Sequence, residues 1–278
     1  MAYKRILTVQ DISCLGQCSI TVALPVLSAC GHETCIIPSA VLSTHTGGSF
    51  SGYTFRDLTE DIPGIRRHWQ QEKIAFDAVY TGYLGSVKQA EYVEETAKAL
   101  LKPGGPLIVD PAMGDNGVLY AGFDGEYVKA MARLCSKADV VLPNITEACL
   151  LTGTEYRDQY DEAYTGALAR QLMEQGAKRV VLTGVSYEPE YTGVAVWDEG
   201  ERQYYRHRRI PRMFHGTGDV YASAFTGGLL RGMSVFDAAK LAADFTVNAI
   251  EHTLDDPAHW YGVKFERAIP FLIERIYR

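Results

Sequence analysis

Between residues 5 and 185 the chain keeps one rhythm, a short apolar run followed by a longer stretch whose apolar residues recur at helical spacing. Ile6–Val9 is followed by helical Ile20–Ala29, extended Glu33–Ile37 by helical Arg56–Gln71, Ala78–Tyr80 by Val87–Leu101, and Pro106–Val109 by Gly125–Lys137. Val140–Leu142 leads to helical Ile145–Leu151, and helical Tyr160–Gln175 leads to a strand at Arg179–Leu182. A strand that is apolar along its length must be covered on both faces, and strands separated by helices pair in parallel. The rhythm predicts an α/β fold, a three-layer α/β/α sandwich around a central, mostly parallel sheet.

The rhythm then changes. Tyr191–Trp197 and Arg202–Arg208 flank Asp198-Glu199-Gly200 and read as an antiparallel hairpin added to the sheet. Three helical stretches follow, Gly216–Arg231, Val235–Glu251 and Phe265–Ile276. No Ser/Pro-rich linker, charge block or internal repeat divides the chain, so residues 1–278 are expected to form a single domain.

With 278 residues, 47% of them hydrophobic, the chain can bury a large core without covalent staples. The six cysteines, Cys14, Cys18, Cys30, Cys35, Cys135 and Cys149, form no Cys-x-x-Cys pair and are expected as reduced residues in or near that core. Lys and Arg number 27 against 34 Asp and Glu, a formal net charge of −7. Nucleic acids and anionic membranes are met by basic faces, so neither is an expected partner. A small anion needs only a local positive site. No apolar run approaches the ~18 residues of a membrane span, and Met1–Arg5 enters the first strand without the apolar segment of a signal peptide. The expected location is the cytoplasm.

In open α/β sheets, ligands bind beyond the carboxyl ends of the strands. The residues there are Gln10-Asp11, Ser39–Gly48, Thr81–Gly85, Asp110–Asp115, Pro143–Glu147 and Thr183-Gly184, rich in Gly, Asp, Thr and Asn. A further segment, His215-Gly216-Thr217-Gly218-Asp219, opens the first of the late helices. Free amides at a helix start, together with the macrodipole, make an anion site. Asp219 placed there either complements the dipole or acts as a base on a hydroxyl that attacks a bound phosphoryl group.

Asp110 can hold a metal or a water, and Asp115 can serve a turn. Asn144 and Glu147 have the spacing of a capping box, and equally that of groups near a Mg²⁺ carrying nucleotide phosphates. Ser43–Gly48 and Thr81–Ser86 combine an imidazole, hydroxyls and the Tyr83 ring around Gly turns, which suits a flat, heteroatom-bearing ring. The alternatives are a locally bonded His45 and a core Tyr83. Neither a P-loop nor a Gly-x-Gly-x-x-Gly after the first strand is present.

Taken in order, Asp110-Pro111-Ala112-Met113-Gly114, Asn144-Ile145-Thr146-Glu147-Ala148 and Gly216-Thr217-Gly218-Asp219 resemble the ribokinase superfamily of ATP-dependent small-molecule kinases. Ser43-Thr44-His45-Thr46-Gly47 and Gly82-Tyr83-Leu84-Gly85-Ser86 resemble its pyridoxal kinase branch, and the likeness spans about residues 5–275. The resemblance implies a ribokinase-like domain, usually a homodimer, that moves the γ-phosphoryl of MgATP to the 5′-hydroxymethyl of a vitamin B6 ring. It implies that Asp219 is the base and that the amides of Gly216, Thr217 and Gly218 form the anion hole. Asp11, Thr46 and Tyr83 would line the vitamer site with His45 and Gly47 nearby. Asn144, Glu147, Asp110, Thr183 and Gly184 would serve ATP, and Asp110 and Glu147 the Mg²⁺; a monovalent cation is a further candidate. Met113–Tyr120 would be a mobile cover, and adenine would lie around Phe245–Asn248.

Two departures matter. Many pyridoxal kinases have Ser where Asp11 follows Gln10, and a carboxylate there favours a cationic vitamer such as pyridoxamine. The first loop, Asp11–Ser19, also resembles that of the hydroxymethylpyrimidine kinases of thiamine synthesis, which usually have Cys in place of Asp219. That enzyme, and a B6-binding protein without turnover, are the alternatives.

Overall fold

The computed structural model describes residues 3–47 and 50–278. Gly48, the end of the strand-end loop Ser39–Gly48, lies outside the described residues. In chain order the first half comprises β1 (Arg5–Ser13), α1 (Ile20–Ala29), β2 (Glu33–Leu42), β3 (Phe55–Asp57), α2 (Ile62–Gln71), β4 (Ala78–Thr81), α3 (Val87–Leu100) and β5 (Leu107–Val109). The remainder comprises β6 (Gly114–Asp115), β7 (Val118–Leu119), α4 (Gly125–Cys135), β8 (Val140–Val141), α5 (Ile145–Thr152) and α6 (Glu162–Glu174). It ends with β9 (Val180–Val185), β10 (Tyr191–Asp198), β11 (Glu201–Arg208), α7 (Thr217–Leu230), α8 (Val235–Glu251) and α9 (Phe265–Ile276).

Nine strands form one sheet in the order β11-β10-β9-β8-β5-β4-β1-β2-β3. The six central strands, β9 through β2, pair in parallel, whereas β10–β11 and β3 add antiparallel edges. The reason is the strand composition. Ala78, Val79, Tyr80 and Thr81 of β4 are all buried, so both faces of that strand need cover. Ile6 and Tyr80 turn into one apolar layer with α1, α7, α8 and α9, while Leu7, Val9 and Val79 turn into the other with α2 to α6. The hairpin and the late helices stand where the sequence placed them.

Two sequence expectations fail. The stretch Arg56–Gln71 is not one helix: Arg56 lies in β3, and α2 starts only at Ile62. Phe55 pairs with Leu42 as an edge strand, the Asp57 carboxylate accepts the N–H of Thr59 at 2.6 Å and turns the chain, and Pro63 sets the backbone of the first helical turn. The six cysteines are all free, but Cys14 is exposed rather than in the core, because it stands just beyond the end of β1. Among the described residues no helix is long and apolar enough to cross a membrane.

Candidate active site

The chain leaves β1 for β2 on one side of the sheet and later for β4, β5, β8 and β9 on the other, so the order of strands reverses between β1 and β4. A crevice opens at such a reversal, beyond the carboxyl ends of the strands. Asp11 stands at the end of β1 and Tyr83 just past β4, on its two walls. The β1–β2 ladder slips between Gln10 and Ile12, and Asp11 sits at the irregularity. Such breaks re-aim a side chain where a regular ladder would fix it.

Asp11 is 4% exposed, and the Ser13 hydroxyl donates to its Oδ2 at 2.9 Å. Burial raises its pKa above the usual carboxylate range, moderated by the Ser19 and Ser13 hydroxyls that face it. Tyr83 is half-buried, with its phenol pushed up to about 12 by burial and by the Asp11 charge. Its ring stacks on Phe123, which in turn lies on Tyr127 at 3.7 Å and 3°. The stack fixes the plane of the Tyr83 ring.

Opposite them α7 begins. Gly216 caps the helix with φ 75°, and a Cβ there would stand 1.8 Å from the Gln17 carbonyl oxygen. Only glycine allows the main chain to come this close in that conformation. The first amides of a helix have no intrahelical acceptor, and here no capping side chain supplies one. Asp219, in that first turn, has its pKa raised to about 8 by burial and by the neighbouring Asp110 and Asp11 charges, against the amide N–H of Ser19 that faces it. A carboxyl that ionises near neutrality beside free amides can take a proton where an anion is held.

The third part comes from β5 and α5. Asp110 is 8% exposed and accepts the N–H of Ala112 at 3.2 Å. Ala112 has φ 32°, and this left-handed kink turns the next amide, that of Met113, onto Glu147 Oε1 at 3.0 Å. Asn144 and Glu147 form a reciprocal capping box: the Glu147 N–H donates to Asn144 Oδ1 at 2.9 Å and the Asn144 N–H to Glu147 Oε2 at 2.8 Å. The capping reading of this pair therefore holds. It does not exhaust the pair, because burial first, and neighbouring acids second, raise the pKa of both Asp110 and Glu147. Buried carboxyls of like charge lower their energy by meeting a cation.

Residues Met113–Tyr120, expected to be a mobile cover, form the small hairpin β6–β7. Its turn is Asn116-Gly117, both at positive φ, the strongest short hairpin signal in a sequence. The Asn144 side chain donates to Gly114 O at 2.9 Å and Asp115 Oδ1 at 3.1 Å, and the Gly117 N–H donates to Thr146 Oγ1 at 2.9 Å. Tyr120 closes the base by donating to Asp115 Oδ2 at 2.7 Å. Thr183 pairs beside Asn144, and Gly184 is exposed at the strand end.

His45 serves the scaffold. Its Nδ1 accepts the Gly47 N–H at 3.1 Å, so Nε2 carries the proton and donates to the Tyr261 carbonyl at 2.9 Å. Burial lowers its pKa, keeping it neutral. Thr46 beside it is exposed. Phe245 is fully buried in the apolar layer, so it offers no surface to adenine; Asn248, half-buried, remains at the edge. Ser19 and Ala112, which act through backbone conformation, and Thr146, whose hydroxyl holds the Gly117 N–H, are not singled out by the sequence.

Among the described residues no group of three or more His, Cys, Asp or Glu side chains is arranged to hold a metal ion. A Mg²⁺ that arrives with phosphates needs only one or two protein carboxylates and keeps several waters. Asp110 and Glu147, both buried and neighbours of like charge, fit that demand.

The chain is similar to proteins of known fold and name. Residues 66–262 match the family model described as phosphomethylpyrimidine kinase. A Bacteroides thetaiotaomicron protein assigned to the phosphomethylpyrimidine kinases, crystallised with pyridoxal, is 36% identical with a TM-score of 0.92, over 98% of this chain and 96% of that one. The pyridoxal kinase of Lactobacillus plantarum is 33% identical with a TM-score of 0.90, over 99% and 98% of the two chains. The pyridoxine/pyridoxal/pyridoxamine kinase of Bordetella bronchiseptica is 30% identical over 89% of each chain.

Proposed function

The chain belongs to the phosphomethylpyrimidine kinase family, in the pyridoxal kinase branch of the ribokinase superfamily, and from that premise we propose that it phosphorylates the 5′-hydroxymethyl group of a vitamin B6 vitamer with ATP. The observation that carries the reading is the place of the Asp219 carboxyl in the uncapped first turn of α7, near enough to Asp11 and Asp110 to feel their charges. Relatives named as B6 kinases match over nearly the whole chain. In the hydroxymethylpyrimidine kinases the Asp219 position is usually Cys.

Phosphoryl transfer requires positioning and charge neutralisation more than covalent work by the protein. In this reading Asp11 and Tyr83 hold the vitamer ring at the switch point, with Thr46 and Gly47 at its rim and His45 bracing them. Asp219 takes the hydroxymethyl proton as that oxygen bonds to the γ-phosphorus and the bond to the β–γ bridging oxygen breaks, leaving ADP. The amides of Gly216, Thr217 and Gly218 receive the phosphoryl oxygens. Asn144, Thr183 and Gly184 face the nucleotide, and Asp110 and Glu147 would hold the Mg²⁺, which neutralises phosphate charge when bound. The β6–β7 hairpin excludes water, a competing acceptor. Residues 1–278 act as one kinase domain, in a cytoplasmic homodimer.

The test is ADP formation from ATP with pyridoxal, pyridoxamine, pyridoxine and hydroxymethylpyrimidine in parallel, with light scattering for the dimer. The highest kcat/KM is expected on a B6 vitamer. Turnover of hydroxymethylpyrimidine alone replaces this function by the thiamine one, and B6 binding without ADP leaves only a vitamer-binding protein.

A further inference from the structure

Segment 16–19 of this chain runs along the start of α7. The Gln17 carbonyl abuts Gly216, and the Cys18 sulfur lies 3.2 Å from where a Gly216 Cβ would be. From outside the segment is clamped by its own side chain, since Gln17 bonds His259 Nε2 at 2.7 Å and reaches both Glu266 oxygens at 3.1 Å. It ends at Ser19, a buried residue with φ 55° and ψ −131°. That backbone region is costly for any residue with a Cβ and persists only where surroundings enforce it.

Ser19 turns its three polar groups toward three different neighbours in this conformation. Its carbonyl accepts the N–H groups of Val22 and Ala23 at 3.0 and 2.8 Å and so starts α1. Its amide N–H faces the Asp219 carboxyl, and its hydroxyl faces Asp11. A regular helix cap would turn the hydroxyl back onto its own helix; here it makes no such bond.

We propose that Ser19 is a positioning residue which, through its strained backbone, holds the Asp219 carboxylate by its amide and the Asp11 carboxylate by its hydroxyl, and so sets the distance between base and vitamer. The two duties are separable. The amide duty depends on φ, and the hydroxyl duty depends on the side chain. The proposal rests on the kinase reading above, with Asp219 acting on the alcohol and Asp11 on the ring.

Two substitutions separate them. Ser19→Gly favours the positive φ and keeps the amide but deletes the hydroxyl. Its KM for the vitamer should rise about fivefold or more while kcat stays within about threefold, the weight of one hydrogen bond to a charged group. Ser19→Thr keeps a hydroxyl but opposes the positive φ with a branched Cβ. Its kcat should fall on the order of 10- to 100-fold, the scale of a small misplacement of a reacting group.

Steady-state kinetics with a B6 vitamer and ATP, on wild type and both variants, reads the result, with circular dichroism to confirm folding. The Gly variant carries the test by itself should the Thr variant fail to fold. A Gly variant with unchanged KM, or with the deep kcat loss of an Asp219 substitution, overturns the proposal and leaves the function standing. A wild type that turns over no vitamer overturns both.

Discussion

A Cβ added at Gly216 would fall 1.8 Å from the carbonyl oxygen of Gln17, so the loop after β1 and the start of α7 are in main-chain contact at the floor of the crevice. Gly216→Ala cannot be absorbed by a side-chain movement, since the obstacle is backbone and φ is 75°. The variant should lose about 2 kcal/mol or more of stability, a fall in Tm of roughly 4 °C or more for a chain of this size. Because the same contact aims the amides proposed to receive the phosphoryl oxygens, kcat should fall by on the order of 10²-fold. Differential scanning calorimetry and an ADP-release assay check both. A variant with wild-type Tm and rate would show that the loop yields and the contact sets nothing.

Asp219→Ala should reduce kcat by on the order of 10²–10⁴, the contribution of a general base, with KM for the vitamer and the circular dichroism spectrum nearly unchanged. Burial first, and the neighbouring Asp110 and Asp11 charges second, raise the pKa of Asp219. A variant that retains most of its rate removes Asp219 from the chemistry.

The same carboxyl makes stability depend on pH. Its pKa is about 8 in the fold against an ordinary 3.8, so between those values the folded state holds a proton that the unfolded chain releases. Stability from this group is therefore fully present below the unfolded value and is lost as pH rises through the folded one. Asp219→Asn removes the burial of that charge. Without nucleotide, its Tm should exceed wild type at pH 8.5, and the gap should close toward pH 5. In the proposed reaction catalysis runs the other way: kcat/KM would need the ionised base and should climb with pH to a plateau above about 8. Parallel Tm curves at all pH values would show that burial does not raise the Asp219 pKa.

The layers of the fold were written in the strands. Ala78–Thr81 has no polar face, so the sheet had to be covered on both sides, and the strand order then placed Asp11 and Tyr83 at the switch point. The candidate carboxylates were legible for the same reason, as acids at strand ends. What the sequence concealed lies in backbone conformation. Nothing in a serine or an alanine announces a positive φ, yet Ser19 and Ala112 turn their own or the next amide onto Asp219, Asp110 and Glu147. Arg56 was misread because a short edge strand and a helix start share one apolar spacing until Asp57 and Pro63 separate them. The Asn116-Gly117 pair carries a hairpin signal inside the segment expected to be a mobile cover.

Glu147 has a structural duty and a proposed metal duty, and one substitution weighs them. In Glu147→Gln one oxygen can still accept an amide, but the amide nitrogen cannot, so either the Asn144 or the Met113 N–H is left unpaired. The loss should be about 1 kcal/mol by analogy with other caps. If Glu147 also steadies the Mg²⁺, the Mg²⁺ concentration for half-maximal rate should rise at least about tenfold. Mg²⁺ titration at saturating ATP reads this separately from the thermal shift. A lowered Tm with an unchanged Mg²⁺ requirement would reduce Glu147 to a helix cap.

Asp11 sets an expectation about the vitamer. Its carboxyl is buried, is bonded by the Ser13 hydroxyl and has its pKa raised by that burial. A ligand that brings an ammonium group near it would restore the charged form and gain a charge-assisted bond. Pyridoxamine carries such a group on the ring, and pyridoxal and pyridoxine do not. Wild type should therefore accept pyridoxamine well. Asp11→Ser, which installs the residue common in pyridoxal kinases, should lower the ratio of kcat/KM for pyridoxamine over pyridoxal by about tenfold, as expected for losing one hydrogen bond between charged groups. Competition between the two vitamers in a single reaction, resolved by chromatography of the phosphorylated products, measures the ratio directly. A wild type that phosphorylates pyridoxal readily and pyridoxamine not at all would show that Asp11 faces some other part of the ring.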